Sequence, residues 1–208
     1  MQRSTLLTTI LGSLLLIVQS PAFAISIDVL PQAQEVTDGT SFNVDIAISG
    51  LGDTQSPSLS TYDLDLAFDT SVLSFSSVVF GDQLNVLGLG DLTAVDSSVS
   101  GLVNLYELSL DLPSDLDASQ LPAFTLATLT FDAVGTGVSA LSITKTILGD
   151  SIGDPLTATV QDASVIVTSK PVGVPEPGTL LLFVLGLVGL VRFKTTVEKG
   201  AKVYQGCV

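Results

Sequence analysis

The sequence contains no histidine and no tryptophan, and its single cysteine, Cys207, stands next to the C-terminus. Without histidine, the commonest general base and metal ligand is missing, and so are the Ser-His-Asp and Cys-His catalytic arrangements. One cysteine cannot build a disulfide framework or a cysteine-based metal cluster, and its position does not match a lipidation signal. The fold must therefore depend on its hydrophobic core, and most familiar hydrolase mechanisms are excluded.

Basic residues are scarce as well. The 208 residues include 7 lysines and arginines against 21 aspartates and glutamates, which gives a formal net charge of −14. A surface that binds nucleic acid needs a basic patch, and these totals exclude one. The length and the 46% content of hydrophobic residues predict one globular domain with processing segments at its ends.

Residues 1–24 are predicted to be a secretory signal peptide. Arg3 precedes an apolar run over residues 6–18, and the segment ends with the small residues Ala22 and Ala24. A signal peptide has a basic N-terminal part, a short apolar run and a cleavage site with small residues. Signal peptidase is therefore expected to cleave after Ala24. The alternative is a retained N-terminal membrane anchor, which the short run and the small-residue exit disfavour.

A second apolar segment lies near the C-terminus. Residues 178–191 are preceded by Pro175-Glu176-Pro177 and followed by Arg192 and Lys194. As a helix the segment would be about 21 Å long, so it crosses a hydrocarbon core of about 30 Å only with bilayer thinning or snorkelling side chains. The basic flank predicts a membrane segment whose C-terminal end is cytoplasmic. A buried core helix is the alternative, but the segment has no amphipathic face and follows prolines that stop a strand.

This arrangement resembles the PEP-CTERM sorting signal of Gram-negative, exopolysaccharide-producing bacteria. The order of three parts carries the resemblance: Val174-Pro175-Glu176-Pro177, a short apolar helix and a basic cluster. The resemblance implies recognition by an exosortase, transient anchoring in the inner membrane, and release or transfer to the cell surface or extracellular matrix. Proteins with this signal usually end soon after the basic cluster, whereas residues 195–208 extend this chain and include Lys199 and Lys202.

Five segments are therefore predicted. They are a signal peptide (1–24), an exported domain (25–169), a linker with the Pro-Glu-Pro motif (170–177), a transmembrane helix with its basic cluster (178–194) and a cytoplasmic tail (195–208).

The exported part is strongly acidic. Residues 25–174 contain 19 acidic side chains and two basic ones, Lys145 and Lys170, so their formal charge is 2 − 19 = −17. Such acidity usually provides a well-solvated surface that resists aggregation. Binding of calcium or of a cationic partner is the alternative interpretation.

The alternation of apolar and polar residues in the exported domain predicts short strands. Apolar and polar residues alternate through residues 42–49 and 62–68, which predicts that one face of each strand lines a core. The predicted inward residues are Phe42, Val44, Ile46, Ile48, Tyr62, Leu64, Leu66 and Phe68. Further strands are predicted at residues 25–30, 73–80, 103–110, 125–133, 138–144 and 163–168. Eight or nine short strands between Gly, Pro, Asp and Ser turns predict an all-β sandwich.

Two of these strands have apolar residues on both faces. In residues 103–110 and 125–133 the alternation is broken, which predicts bulges or burial on both sides.

The order of strands and turns resembles the cohesin family, whose nine-stranded jelly-roll modules are related to certain cellulose-binding domains. The resemblance extends over most of residues 25–168 and is best in residues 62–73, 78–82 and 126–137. It implies a cohesin-like jelly-roll β-sandwich with a role in protein association.

No catalytic residue and no metal site is assigned. Asp63 and Asp65 share a strand face about 7 Å apart, a spacing that suits paired carboxylates, but alternating aspartates usually keep an exposed face soluble. The acidic segments Asp111–Asp117 and Asp150–Asp154 offer oxygen ligands for calcium, yet neither has the Asp-x-Asp-x-Asp-Gly spacing, so loop structure is favoured for both. Asp69-Thr70-Ser71 is expected to close a turn. We therefore predict no cofactor, with calcium as the only candidate.

The predicted function is that of a non-enzymatic, exosortase-sorted protein of the cell surface or exopolysaccharide matrix. Its cohesin-like domain would mediate protein association or adhesion. The alternative is a carbohydrate-binding module, which is weaker because sugar-binding faces usually present exposed aromatic rings, and most tyrosines and phenylalanines here are at inward positions. The expected partners are an exosortase, signal peptidase, the membrane and an unknown protein or polysaccharide, and no nucleic acid.

Overall fold

The computed structural model describes residues 24–171 and 182–187, which belong to two compact units, the first ending in the chain at Ser169 and the second beginning at Lys170. The predicted signal peptide before Ala24, the Pro-Glu-Pro motif, the basic cluster and the tail lie outside the described residues. The first unit is built from strands with one short helix. Its elements are β1 (Ile25–Leu30), β2 (Ala33–Thr37), β3 (Ser41–Ser49), β4 (Leu59–Ala67), β5 (Leu73–Phe80), β6 (Asp91–Asp96), β7 (Leu102–Ser109), α1 (Pro113–Ser119), β8 (Ala123–Ala133), β9 (Gly137–Asp150), β10 (Pro155–Leu156), β11 (Ala158–Gln161) and β12 (Ala163–Thr168).

The strands form two sheets, so the predicted all-β sandwich is confirmed. The smaller sheet has the order β11-β1-β3-β8-β5, and the larger has the order β2-β12-β9-β4-β7-β6 with β10 paired to β9. Pairing is antiparallel except between β1 and β11 and between β2 and β12. β6 is the edge strand of the larger sheet and pairs only with β7.

The core lies between the sheets and consists of the residues that the alternation places inward. Seven of the eight predicted inward side chains of β3 and β4 are buried, and Phe68, just after β4, is half-buried against them. Phe131 of β8 is in ring contact with Phe42, Phe68 and Phe75, at centroid distances of 6.1, 5.2 and 5.9 Å. Aromatic pairs at such distances contribute stability beyond the area they bury. The core thus joins both sheets through one cluster of residues.

The two strands with broken alternation behave differently. In β8 the pairing with β3 has one extra residue, Leu126, between the partners of Ile46 and Ala47, whereas in the pairing with β5 the extra residue is Ser76 of β5. The predicted bulge is confirmed there. β7 has no shift in its pairing, and its residues alternate regularly between the core and the outer face. The prediction of a bulge in β7 is therefore wrong. Its pattern looked irregular because the polar residues Glu107 and Ser109 occupy buried positions.

The segment Asp111–Asp117 was predicted to be a loop, but most of it belongs to α1. Pro113 stands in the first turn of the helix, Asp115 also lies there, and Leu116 is buried. Proline at the start and an acidic residue near the N-terminus both favour a helix. The turn at Asp69-Thr70-Ser71 is confirmed, because the Asp69 carboxylate accepts hydrogen bonds from both the backbone N–H and the hydroxyl group of Ser71.

In the second unit, residues 182–187 are helical and their side chains are largely exposed. No helix in the described ranges has the length and hydropathy needed to cross a membrane.

Candidate functional site

The outer face of the larger sheet carries the charged side chains that the sequence singled out. Asp63 and Asp65 of β4 lie on this face, as predicted, opposite Tyr106 and Asn104 of β7. On the other side of β4, Asp65 is paired with Lys145 of β9. The register therefore brings two carboxylates, an amide and the only basic side chain of residues 25–169 into one group.

Hydrogen bonds hold this group together. The Nδ2 atom of Asn104 donates to Asp63 and to Asp65, at 2.6 Å each, and Nζ of Lys145 donates to the other oxygen of Asp63 at 2.6 Å. This contact is the one ion pair found in the described ranges. Because both side chains are partly exposed, the pair contributes little to the stability of the fold.

The charge state of the group argues against acid-base catalysis. Partial burial by itself raises the pKa of Asp63, but hydrogen bonds from Lys145 and Asn104 outweigh this effect and hold the pKa below its ordinary value. The hydrogen bond to Asp63 in turn raises the pKa of Lys145. Both partners are therefore fully charged at neutral pH, whereas a general acid needs a carboxyl group that stays protonated near the working pH.

Apolar side chains border the charged group. Ile147 of β9 is 55% exposed and lies opposite Asp63, and Leu92 of β6 is 53% exposed and lies opposite Leu108 of β7. Tyr106, half-buried, stands between them. We call the surface formed by Asp63, Asp65, Leu92, Asn104, Tyr106, Leu108, Lys145 and Ile147 the mixed face.

The outer face of the smaller sheet is different in chemistry. Most of its side chains are small and polar, with Leu30 and Val79 as exposed apolar exceptions, and four pairs are bonded to one another across the strands. The pairs are Ser26 with Ser49 at 2.9 Å, Thr128 with Asp45 at 2.6 Å, Thr130 with Asn43 at 3.1 Å, and Ser41 with Asp132. The polar groups of both faces already satisfy each other, but the mixed face also carries exposed apolar side chains beside a tyrosine, so it is the better candidate for binding.

A buried carboxyl group lies beneath the mixed face, and sequence reasoning did not identify it. Glu107 of β7 points into the core with 1% of its surface exposed, and its Oε2 atom accepts a hydrogen bond from the Tyr62 hydroxyl group at 2.8 Å. Burial raises the pKa of Glu107 to about 7; the hydrogen bond from Tyr62 opposes this effect, and the nearby carboxyl group of Asp91 adds to it. Burial, together with Glu107, also raises the pKa of Tyr62.

The second acidic segment closes a turn by itself. The Asp150 carboxylate accepts hydrogen bonds from the backbone N–H groups of Ile152 and Asp154, at 3.0 and 2.8 Å. In the part of the chain that the structure describes, no group of three His, Cys, Asp or Glu side chains could hold a metal ion.

Of the sequence-predicted sorting and processing residues, only Ala24 is described, and it is exposed just before β1. Ala22, the motif Pro175-Glu176-Pro177, Arg192 and Lys194 lie outside the described residues.

The C-terminal region matches a known protein family. Residues 173–194 match the PEP-CTERM protein-sorting motif. This range contains the motif, the apolar segment and the basic cluster that the sequence singled out. The comparison with curated proteins found no match to this chain.

The first unit is similar in structure to cohesin modules. The sixth cohesin of scaffoldin B from Acetivibrio cellulolyticus, solved with a Cel5 dockerin mutant, aligns with a TM-score of 0.57 at 19% identity and covers 70% of this chain and 99% of its own. The OlpC cohesin–dockerin complex from Clostridium thermocellum has a TM-score of 0.57 at 10% identity, with coverages of 73% and 98%. A non-cellulosomal cohesin from the archaeon Archaeoglobus fulgidus has a TM-score of 0.54 at 14% identity, with coverages of 70% and 92%. These similarities establish the fold of the domain.

Proposed function

From a PEP-CTERM sorting motif that follows a cohesin-like domain, we propose that this chain is an exosortase-sorted surface protein that binds a protein partner through the mixed face. The sorting motif implies export, C-terminal membrane anchoring and surface display. The cohesin-like fold and the motif together suggest a binding or structural protein without catalytic activity. Two of the similar cohesins were solved with dockerins, which supports a dockerin-like protein as the partner.

The composition of the mixed face is the observation that carries this proposal. Exposed apolar side chains at Leu92 and Ile147 lie beside Tyr106 and the aspartates of β4. Protein interfaces combine apolar or aromatic anchors with a polar rim in this way. The carboxylates on the face and the strong negative charge of residues 25–174 favour a partner that carries basic residues beside an apolar stripe.

A carbohydrate ligand is less well supported. Sugar-binding faces stack pyranose rings on exposed aromatic side chains. Within residues 24–171 every tyrosine and phenylalanine is buried or half-buried, so the domain offers no such platform there. We propose that this chain is located in an extracellular matrix of exopolysaccharide. Its proposed ligand there is another protein and not the polysaccharide.

The mixed face can be tested with one substitution and a matched control. We expect Ile147→Asp to weaken capture of the partner from the secreted proteome by about tenfold or more, because a charge replaces an exposed apolar anchor of the interface. Ile166 of β12 is 45% exposed and lies near the far edge of the same sheet. Ile166→Asp therefore introduces the same charge at an exposed isoleucine outside the mixed face. Quantitative mass spectrometry of pull-downs measures both.

Two outcomes would contradict the proposal. Equal capture by both variants would remove the mixed face as the binding site. Capture of a polysaccharide in place of a protein would favour the carbohydrate-binding alternative.

The start of the mature protein is a further prediction. We expect it to begin at Ile25, because Ala22 and Ala24 provide the small-residue exit for signal peptidase. β1 starts at this same residue and its side chain is buried, so a cut there leaves the first strand intact. N-terminal sequencing of the exported protein measures this, and a sequence that starts at Met1 would show that the segment is a retained anchor.

A further inference from the structure

The edge strand β6 has few contacts with the rest of the domain. Within residues 24–171 it pairs with β7 alone, and five of its six side chains are exposed. Asp91, its first residue, is the half-buried exception and is paired with Ser109 of β7. A strand with so few buried contacts opens at low cost, so the surroundings of Asp91 determine how firmly this end of β6 is held.

The side chain that faces Asp91 is the buried Glu107. It lies two residues before Ser109 on the same inward side of β7 and is 1% exposed. Its Oε2 atom accepts a hydrogen bond from the Tyr62 hydroxyl group at 2.8 Å, and its Oε1 atom is buried without a donor from the described residues. The Asp91 carboxyl group lies within hydrogen-bonding distance of Glu107. A buried carboxylate oxygen without a donor is costly, and a proton on that oxygen removes the cost.

The groups around Glu107 include no base. Tyr62 of β4 and Asp91 of β6 are the titratable groups that face it, and on the side of β8 the Tyr62 hydroxyl group also lies 3.2 Å from the carbonyl oxygen of Leu126. Asp111, four residues further along the chain, adds another carboxyl group to this end of the sheet. Two adjacent carboxylates repel each other, so one of them favours its neutral form.

No lysine or arginine can take the place of that proton. Lys145 is the only basic side chain of residues 25–169, and it is bonded to Asp63 on the outer face of the sheet. The negative charge of the Glu107 and Asp91 pair is therefore reduced by protonation and not by an ion pair within the domain.

We propose that Glu107 and Asp91 share one proton and that this contact is a pH-sensitive device that holds the first residue of β6 against the domain. In the protonated form, Oε1 of Glu107 donates to the Asp91 carboxylate while Oε2 still accepts from Tyr62. When the proton leaves to water, two carboxylates face each other, and their repulsion pushes the half-buried Asp91 side chain toward solvent. This end of β6 then opens more often.

The contact also bears on the mixed face, because β6 carries Leu92. The protonation state of Glu107 thus affects how firmly one apolar side chain of that face is held. This consequence rests on the proposed function, whereas the contact itself does not, and the experiments below need no binding partner.

The pH range of the device follows from the pKa of Glu107. Burial raises this pKa from 4.5 to about 7, the hydrogen bond from Tyr62 opposes the rise, and Asp91 adds to it. Between these two values the folded protein keeps a proton that the unfolded chain has lost, so stability falls as the pH rises through this range and then levels off. The sequence has no histidine, so no other side chain of residues 25–169 has an ordinary pKa in the upper part of this range.

Thermal melts of the full chain in mild detergent, followed by far-UV circular dichroism, test the protonation. We expect the parent to melt about 5 °C higher at about pH 5.5 than at about pH 8. Glu107→Gln should remove this difference, because its amide group donates to Asp91 at every pH while its carbonyl oxygen accepts from Tyr62. Glu35 is the only other glutamate of residues 25–169 and is exposed on β2 of the same sheet, so Glu35→Gln is the matched control and should melt with the pH dependence of the parent.

Amide hydrogen exchange tests whether the proton holds β6. After correction for the intrinsic exchange rates at each pH, we expect the amides of β6 to be about tenfold less protected at about pH 8 than at about pH 5.5. The difference should be absent in Glu107→Gln. The amides of β2, an edge strand at the other side of the same sheet, should show no such difference in either protein.

Four results would overturn the proposal. They are a parent that melts no lower at the higher pH, a Glu107→Gln variant that keeps the pH dependence, a Glu35→Gln variant that loses it, and protection of β6 that does not change with pH. If Glu107→Gln does not fold, Asp91→Asn takes its place, because it removes the facing charge at a half-buried position. The protection of β6 should then no longer depend on pH, and a dependence equal to that of the parent would contradict the role of Asp91.

Discussion

Replacing Leu66 with aspartate is expected to unfold the domain. Leu66 has no exposed surface and lies between Val103 of β7 and Ile143 of β9 on the inward side of β4. A carboxylate placed there has no partner, since the only lysine of the domain is on the outer face. The expected cost of about 5 kcal/mol is comparable with the whole stability of a typical domain, about 5–15 kcal/mol.

The neighbouring residue provides the control. Asp65→Asn keeps an oxygen that can accept the hydrogen bond from Asn104 and changes an outer, half-exposed position, so we expect its melting temperature to lie within a few degrees of the parent. Thermal melts of the exported protein, followed by far-UV circular dichroism, compare the two. Equal melting temperatures for the two variants would mean that the inward and outward faces of β4 are assigned the wrong way round.

Loss of the Pro-Glu-Pro motif is expected to hold the protein in the inner membrane. Prolines disfavour helices and sheet pairing, so we expect Pro175 and Pro177 to leave the motif accessible to an exosortase. Replacing Pro175, Glu176 and Pro177 with alanines removes that element, while the apolar segment and the basic residues after it still anchor the chain. We expect most of the extracellular protein to disappear and the membrane fraction to gain it.

Cell fractionation in a host that carries an exosortase measures the change. The matched control replaces Lys170, Pro171 and Val172 with alanines in the same linker but before the family match, which begins at residue 173. This control should be released like the parent. If the Pro-Glu-Pro variant reaches the extracellular fraction at the parent's level and mass, the sorting function of the motif is wrong for this chain, and its long tail becomes the first explanation to examine.

Alternation of apolar and polar residues predicted the central strands of the fold. β1, β5 and β12 have the predicted ends, and β3 and β4 have the predicted inward faces, because the two faces of these strands differ sharply in polarity. The sequence did not predict β2, β6, β10 and β11. None of the four has a buried residue, and a strand that buries neither face leaves no alternating pattern. The second half of β9 was missed for a related reason, because Thr144 and Lys145 interrupt its apolar run.

The candidate site was predicted in part. The outward position of Asp63 and Asp65 followed from parity alone, but Asn104 and Lys145 are 39 and 82 residues away from their partners in sequence, and only the strand order brings them together. Glu107 was not predicted to be buried because a glutamate usually marks an exposed position. A usable signal did exist, since Val103, Leu105 and Glu107 share one parity, and continuing that alternation places Glu107 in the core.

The edge strand β6 has a consequence for how densely the protein can be displayed. Its free side exposes backbone groups that another copy could pair with, and open sheet edges are a common route to polymerisation. Its six residues begin with Asp91 and end with Asp96. If two copies paired antiparallel along this edge with their strand ends level, Asp91 of each copy would face Asp96 of the other, and repulsion between these carboxylates would oppose that pairing. The like charges at the two ends of β6 therefore disfavour edge-to-edge pairing of copies in that register, however densely the protein is displayed.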